Sequence, residues 1–304
     1  MNSLLYDFDT APFSKISSTD FKPAIKEAIE ICKQEIETII SNPETPSFQN
    51  TTEALEFTGQ KLGRITSIFF NLNSAETSEA IQKIAQEISP WLSEFKNDMI
   101  LNSALFKKVK SVYDIRKNLN LDPEQTMLLE KQYKGFSRNG ANLNDEDKEK
   151  LRKIDTELSR LSLQFGENVL ADGNAFELHI THEKDLKGLP DGAKEAASLL
   201  AKNRNKEGWL ITLDYPSYIP FVTYAENRTL RKKLTIAFGK KGFQNNENNN
   251  EEIVLNIVKL RHLRANLLGY KTHAHFVLEE RMAETPKKVL SFSNDLLRKA
   301  KPAA

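Results

Sequence analysis

Apolar residues in the first half of the chain recur at helical spacing. Phe21, Ile25, Ala28, Cys32, Ile36 and Ile39 follow one another by three or four positions, which predicts one amphipathic helix. Thr19 or Asp20 is its expected cap, Pro23 is expected in its first turn, and Asn42-Pro43 is its expected stop. A second helix is predicted through Leu55, Leu62, Ile65, Phe69 and Leu72. A third runs through Ile81, Ile84, Ile88, Leu92, Phe95 and Met99, with a kink or break expected at Pro90. Helical patterns also cover about residues 102–117 and 122–136. Asn139-Gly140-Ala141-Asn142 reads as a turn. Asn144 then caps a long helix that has acids in its first turn and a stripe of Leu151, Ile154, Leu158, Leu161 and Phe165.

Near Gly173 the period shortens to two. Phe176 to Ile180 and Trp209 to Leu213 alternate as strands do, with a helix expected from Pro190 to Asn203 between them. An isolated hairpin is marginal, so that helix is expected to cover the pair. Helices resume after Pro216. Asn245 to Asn250 reads as an exposed polar loop, with Asn249 or Asn250 capping a helix through Ile253, Ile257, Leu260 and Leu267. Gly269 suits the left-handed position after that helix, and Thr285-Pro286 opens one more. The fold class expected is mainly α, a multi-helix body with one small antiparallel strand element.

Composition narrows the function classes. The 304 residues carry 43 basic and 42 acidic side chains, for a formal charge of +1. That balance argues against nucleic acid or an anionic membrane as the main partner. No apolar run approaches membrane-spanning length, and the first residues lack the basic and apolar regions of a signal peptide, so a cytoplasmic location is expected. The single cysteine, Cys32, lies within the first apolar stripe and reads as a buried structural thiol.

No residue set in the chain reads as a catalytic or metal centre. A zinc peptidase helix needs two histidines four apart with a glutamate beside the first. His182-Glu183 begins such a motif, but the fourth residue on is Leu186. His273 and His275 diverge by roughly 200° on a helix, and His179 and His262 stand apart. The acid pairs Glu251-Glu252 and Glu279-Glu280 read as solvated helix faces. Arg228, Arg231, Lys232, Lys233, Lys240 and Lys241 form a basic cluster that reads as a solvated face near a helix C-terminus, without the interleaved aromatics of a single-strand platform.

Ordered stretches along the chain resemble a known family. Tyr133-Lys134-Gly135-Phe136-Ser137-Arg138-Asn139-Gly140-Ala141-Asn142-Leu143 is similar to the turn that precedes a long helix in the thimet oligopeptidase family of zinc metallopeptidases. Phe13 to Ala24 and Pro46 to Glu56 resemble the family's amino-terminal segments. Arg228 to Leu234, Leu260 to Tyr270 and Arg281 to Pro286 resemble its later ones. Ile65 to Phe70, and the spacing of prolines and phenylalanine from Asn42, bring the chain nearest to the peptidyl-dipeptidase Dcp branch.

The resemblance implies the amino-terminal part of a two-lobed, clefted metallopeptidase. Residues 1–215 would be a helical region that includes the strand element, and residues 216–304 the start of the catalytic region, ending before the zinc motif. It implies zinc in the parent protein and none held by this chain. The implied partners are short peptide substrates and the missing carboxyl-terminal half, with neither nucleic acid nor membrane among them. The expected activity of the parent is release of C-terminal dipeptides, with the chain alone inactive. An oligopeptidase A-like endopeptidase fragment and a non-catalytic helical binding module are the alternatives. The substrate-binding residues are left unassigned.

Overall fold

The computed structural model describes residues 2–303. It is mainly helical, with one two-stranded antiparallel sheet. The chain divides into two units, residues 1–160 with 258–304 and residues 161–257. The boundaries fall inside two long helices, α7 (Asp145–Ala175) and α11 (Glu251–Leu267).

In the first unit, α1 (Ser18–Ser41) buries the whole predicted stripe. Its cap is Ser17 rather than Thr19 or Asp20. The Ser17 hydroxyl accepts from the Thr19 N–H, and Asp20 returns a carboxylate to the Ser17 N–H at 2.8 Å. This reciprocal box satisfies donors at the helix start. It also moves the start three residues ahead of Phe21, so Pro23 stands in the second turn. Cys32 is buried against the turn at Gly59, and burial, then Glu35, pushes its thiol up to about 11. A thiol held so high stays protonated and unreactive at neutral pH.

The predicted second helix is interrupted. Phe48–Glu53 winds as a π-helix and runs into a short α-turn, α2 (Ala54–Glu56). Gly59, at φ 72°, then lets the chain turn into α3 (Gln60–Ala75). Pro90 does not break α4 (Glu79–Ile100), which continues through it. Phe21 of α1 meets Phe69 of α3 edge to face at 5.1 Å between centroids, and Ile88 and Phe95 of α4 are buried as well. The helix expected over 102–117 ends as α5 (Ser103–Asp114), followed by a 3-10 turn at Arg116–Asn118. Next comes α6 (Pro123–Arg138), with Asp122 capping it.

The motif turn after α6 has a clear physical basis. Gly140 has φ 101°, and the Ala141 N–H reaches back to the Phe136 carbonyl at 3.2 Å, closing the helix end. A Cβ on Gly140 would lie 2.6 Å from a methyl of Leu151, so glycine both permits the turn and lets α7 approach. The Asn144 carboxamide accepts from the Asp147 N–H at 2.9 Å, as the sequence predicts.

In the second unit, α7 continues past Gly173 to Ala175, so the strands are shorter than predicted. Strands β1 (Leu178–Ile180) and β2 (Trp209–Ile211) pair with Leu178 opposite Ile211 and Ile180 opposite Trp209. Leu178 and Ile180 point into a core with Leu186, Ile211, Phe221 and Leu234, while His179 points out. Helix α8 (Asp191–Asn203) covers the sheet, followed by α9 (Tyr215–Tyr224) and α10 (Arg228–Gly239). In the remaining part of the first unit, α11 ends at Gly269 (φ 83°) with the predicted left-handed cap. It is followed by α12 (His273–Leu278) and by α13 (Pro286–Ala300), which Thr285 caps.

The polar run 245–250 is the expected loop, exposed at Asn245, Asn246 and Glu247, but it is tied down from within and buried at Asn250. Asp172 of α7, 3% exposed, gathers it. One carboxylate oxygen accepts from the Gly242 N–H (2.8 Å) and Gln244 (3.1 Å). The other accepts from Asn246 (2.8 Å) and Asn248 (3.0 Å). Asn250 is buried, donating to the Phe165 carbonyl and accepting from Asn168. Asn249 has the capping bond, to the Glu251 N–H at 3.0 Å.

Candidate functional site

Two of the motif stretches meet in the first unit. Arg138, the last residue of α6, donates through Nη2 to the Phe276 carbonyl (2.5 Å). Its Nε donates to Glu279 (2.5 Å) and to the Tyr270 hydroxyl (3.2 Å). Tyr270 donates to the same Glu279 oxygen at 2.7 Å. Two guanidinium groups lie over the Phe276 ring, Arg138 at 4.9 Å and Arg264 at 5.0 Å from its centroid. Arg264 in turn bonds Asp155 (2.7 Å) and Asn139 (3.1 Å). Arg264–Asp155 is the most enclosed of the described ion pairs, with both side chains under one-fifth exposed.

The acid pair Glu279-Glu280 is therefore held by partners rather than free, although Glu279 stays half exposed. It follows the end of α12 and clamps onto α6. Glu280 pairs with Lys131 (2.6 Å) and Lys134 (3.4 Å). The hydrogen bond from Tyr270 and then that from Arg138 hold the Glu279 carboxyl below its ordinary value; Lys131 does most for Glu280. Periodicity could not reveal this cluster, because its long-range pairs are 109 to 149 positions apart, joining α6 and α7 to the stretch from α11 to the residues after α12. The signal that was present lay in the motif residues Arg138, Arg264 and Tyr270.

The histidines stay dispersed. His179 contacts the Glu207 carbonyl at 2.6 Å, and His275 contacts the Thr272 hydroxyl at 2.8 Å. His262 is exposed on α11, and His182 precedes a short 3-10 turn at Glu183–Leu186. His273 and His275 both lie on α12, where their two-residue spacing turns them apart. Among the described residues no three His, Cys, Asp or Glu side chains gather as a metal would require. No donor set among the described residues suits a zinc ion, so no chemical step is assigned through one.

His273 carries a different property. Its Nδ1 is buried without a hydrogen-bond partner, and burial, then Arg261 and Arg264, pushes its pKa below the ordinary value. Its folded-state pKa is depressed, so its contribution to stability is complete above the unfolded value of about 6.5 and is lost as pH falls through the lower folded value. Denaturation midpoints are expected to fall between pH 7 and 5, and His273→Phe is expected to flatten that slope. An unchanged slope in the variant would refute the assignment.

The basic cluster splits in two. Arg231 turns inward to the Ala225 and Glu226 carbonyls, and the Lys241 ammonium sits 3.9 Å over the Phe238 ring. Arg228, Lys232, Lys233 and Lys240 remain exposed. Glu251 and Glu252 occupy the first turn of α11, where acids complement the helix dipole. On α13 no residue is buried, and Leu290, Phe292, Leu296 and Leu297 are each more than half exposed. No described helix is long and apolar enough to cross a membrane.

Fold and site together define a mainly helical scaffold in which the end of α6 is buttressed by the residues around α12. Residues 221–304 match the family described as Peptidase family M3. Over 305 residues the chain is 32% identical to oligopeptidase A of Salmonella typhimurium, covering 99% of this chain and 45% of that protein. It is 32% identical over 293 residues to dipeptidyl carboxypeptidase of Escherichia coli, covering 96% of this chain and 43% of that protein. The chain is a relative of these peptidases along nearly its whole length, and it spans less than half of theirs. The two kinds of relative match at equal identity, so identity does not separate the branches.

Proposed function

We propose that the chain is the amino-terminal portion of a zinc metallopeptidase that hydrolyses short peptides and releases C-terminal dipeptides. The carrying observation is the near end-to-end similarity to oligopeptidase A and dipeptidyl carboxypeptidase, together with the family match in residues 221–304. In this reading residues 216–304 open the catalytic region. The zinc, its histidine and glutamate ligands and the general base belong to a carboxyl-terminal half, and this chain alone hydrolyses nothing. The exposed apolar face of α13 supports the reading as a surface that the other half covers.

The test begins with the reading frame beyond codon 304, where an H-E-x-x-H motif followed by a glutamate is expected. The protein that frame encodes is then offered an N-blocked peptide with a free C-terminus and its C-terminal amide. Zinc-dependent release of dipeptides from the first and none from the second is expected. Internal cleavage of both would favour the oligopeptidase A-like reading. A native stop codon with no zinc-dependent hydrolysis would overturn the proposal in favour of a binding module.

A further inference from the structure

We propose that the second unit carries a slot for a lysine side chain of a peptide, formed between α8, β2 and the start of α9. The slot has a volume of about 270 Å³. That is below the size of usual small-molecule sites and suits one side chain. Ala193, Ala196, Ala197 and Leu200 of α8, at helical spacing, and Leu210 of β2 line it. Small side chains on α8 leave room for an aliphatic stem.

The polar end of the slot sets the charge of its occupant. Asp214 lines it and is exposed. The Thr212 hydroxyl donates to Asp214 Oδ2 at 2.9 Å, and no lysine or arginine among the described residues pairs with this carboxylate. Thr212 is itself fixed, its N–H donating to Ser217 at 3.0 Å. A slot lined mainly by apolar side chains, with an unpaired carboxylate in its lining, fits a long alkyl chain with a cationic head. The choice between the two natural cations follows from the hydrogen bonding. A guanidinium is held best by two free carboxylate oxygens in parallel, and one oxygen here is engaged by Thr212. A point-charge ammonium needs only the other. The N-terminus of α9 beside Asp214 offsets part of the negative charge, so selectivity is modest.

This assignment does not depend on the peptidase reading and is tested by binding alone. The full chain is titrated with acetylated, amidated tripeptides Ala-X-Ala, where X is lysine, norleucine or arginine, while amide NMR shifts of residues 189–217 are followed. Lysine is expected to bind about fivefold more tightly than norleucine at low salt, and more tightly than arginine. Asp214→Asn, which keeps an oxygen for Thr212, is expected to bring lysine to the norleucine level. Ala196→Phe, at an exposed position on α8, fills the slot and is expected to abolish the shifts for every peptide, with helicity by circular dichroism unchanged. Equal binding of lysine and norleucine, absence of shifts in this segment, or an Ala196→Phe chain that still binds would each overturn the proposal. Arginine binding as well as lysine would overturn the choice of cation.

Discussion

Asp172→Ala is expected to destabilise the second unit by about 3 kcal/mol, within the range for groups stranded by loss of a buried charged partner. Among the described residues the carboxylate is the acceptor for the Gly242 N–H and the Gln244 side-chain amide, and it also takes Asn246 and Asn248. Three of these donors can turn to water. The buried Gly242 N–H is less able to. Asp172→Asn is not expected to rescue the loss, because the new amide brings a further donor into a ring of donors. Gly242→Ala attacks the same knot from the other side. Its φ of 70° disfavours a side chain, and a Cβ would stand 2.6 Å from the Asn250 amide nitrogen and 3.0 Å from a Val169 methyl.

Two measurements check this. Urea denaturation should show the midpoint fall, and hydrogen exchange should show the 242–250 amides opening ahead of the β1–β2 pair. The pH dependence has a definite sign. Burial pushes the Asp172 carboxyl up, but the bonds from Asn248, Gly242, Asn246 and Gln244 outweigh it, and it ends below its ordinary value. Its contribution is therefore complete above about pH 3.9 and is lost as pH falls through the lower folded value. The alanine variant should show a shallower acid slope than the parent chain. Equal slopes and equal midpoints would mean that the polar loop is held by something else.

The same knot shows where sequence reading stops. Helical stripes were legible because burial of α1 depends on spacing alone, and all six predicted positions are buried. The strand pair was legible because Leu178, His179 and Ile180 alternate against a covering helix. The asparagine-rich run is largely exposed, as its composition reads, but composition carries no information about the carboxylate some 70 positions upstream that ties it down. Glu279-Glu280 misleads for the same reason, since its partners lie on α6. Pro90 misleads in the opposite sense. One missing N–H and one ring clash are local costs, and the burial of Ile88 and Phe95 on either side favours a continuous helix. The cap at Ser17 was within reach of the sequence, since Ser17-x-x-Asp20 has the spacing of a reciprocal box. The apolar stripe beginning at Phe21 drew the expected start forward.

The second large effect is expected at α13. Val289, Leu290, Phe292, Leu296 and Leu297 recur at helical spacing and cover one side of the helix, while Lys287, Asn294, Asp295 and Arg298 take the other. On a helix with a solvated back and a packed front the apolar residues would be the hidden ones. Here Leu290 is 63% and Leu297 61% exposed, although Thr285 caps the helix and Pro286 starts it. The sequence has thus built both a stable start and an apolar face for a helix whose face stays largely exposed among the described residues. Contiguous exposed apolar surface of this kind binds hydrophobic dyes and drives association. The chain is expected to raise the fluorescence of such a dye several-fold and to sediment as a concentration-dependent mixture. The double variant Leu290→Ser, Leu297→Ser is expected to remove most of both effects while leaving the melting temperature within a few degrees, because neither side chain is buried. A monodisperse parent chain that leaves the dye dark would show the face to be satisfied by water, and would remove the support it gives to a covering carboxyl-terminal half.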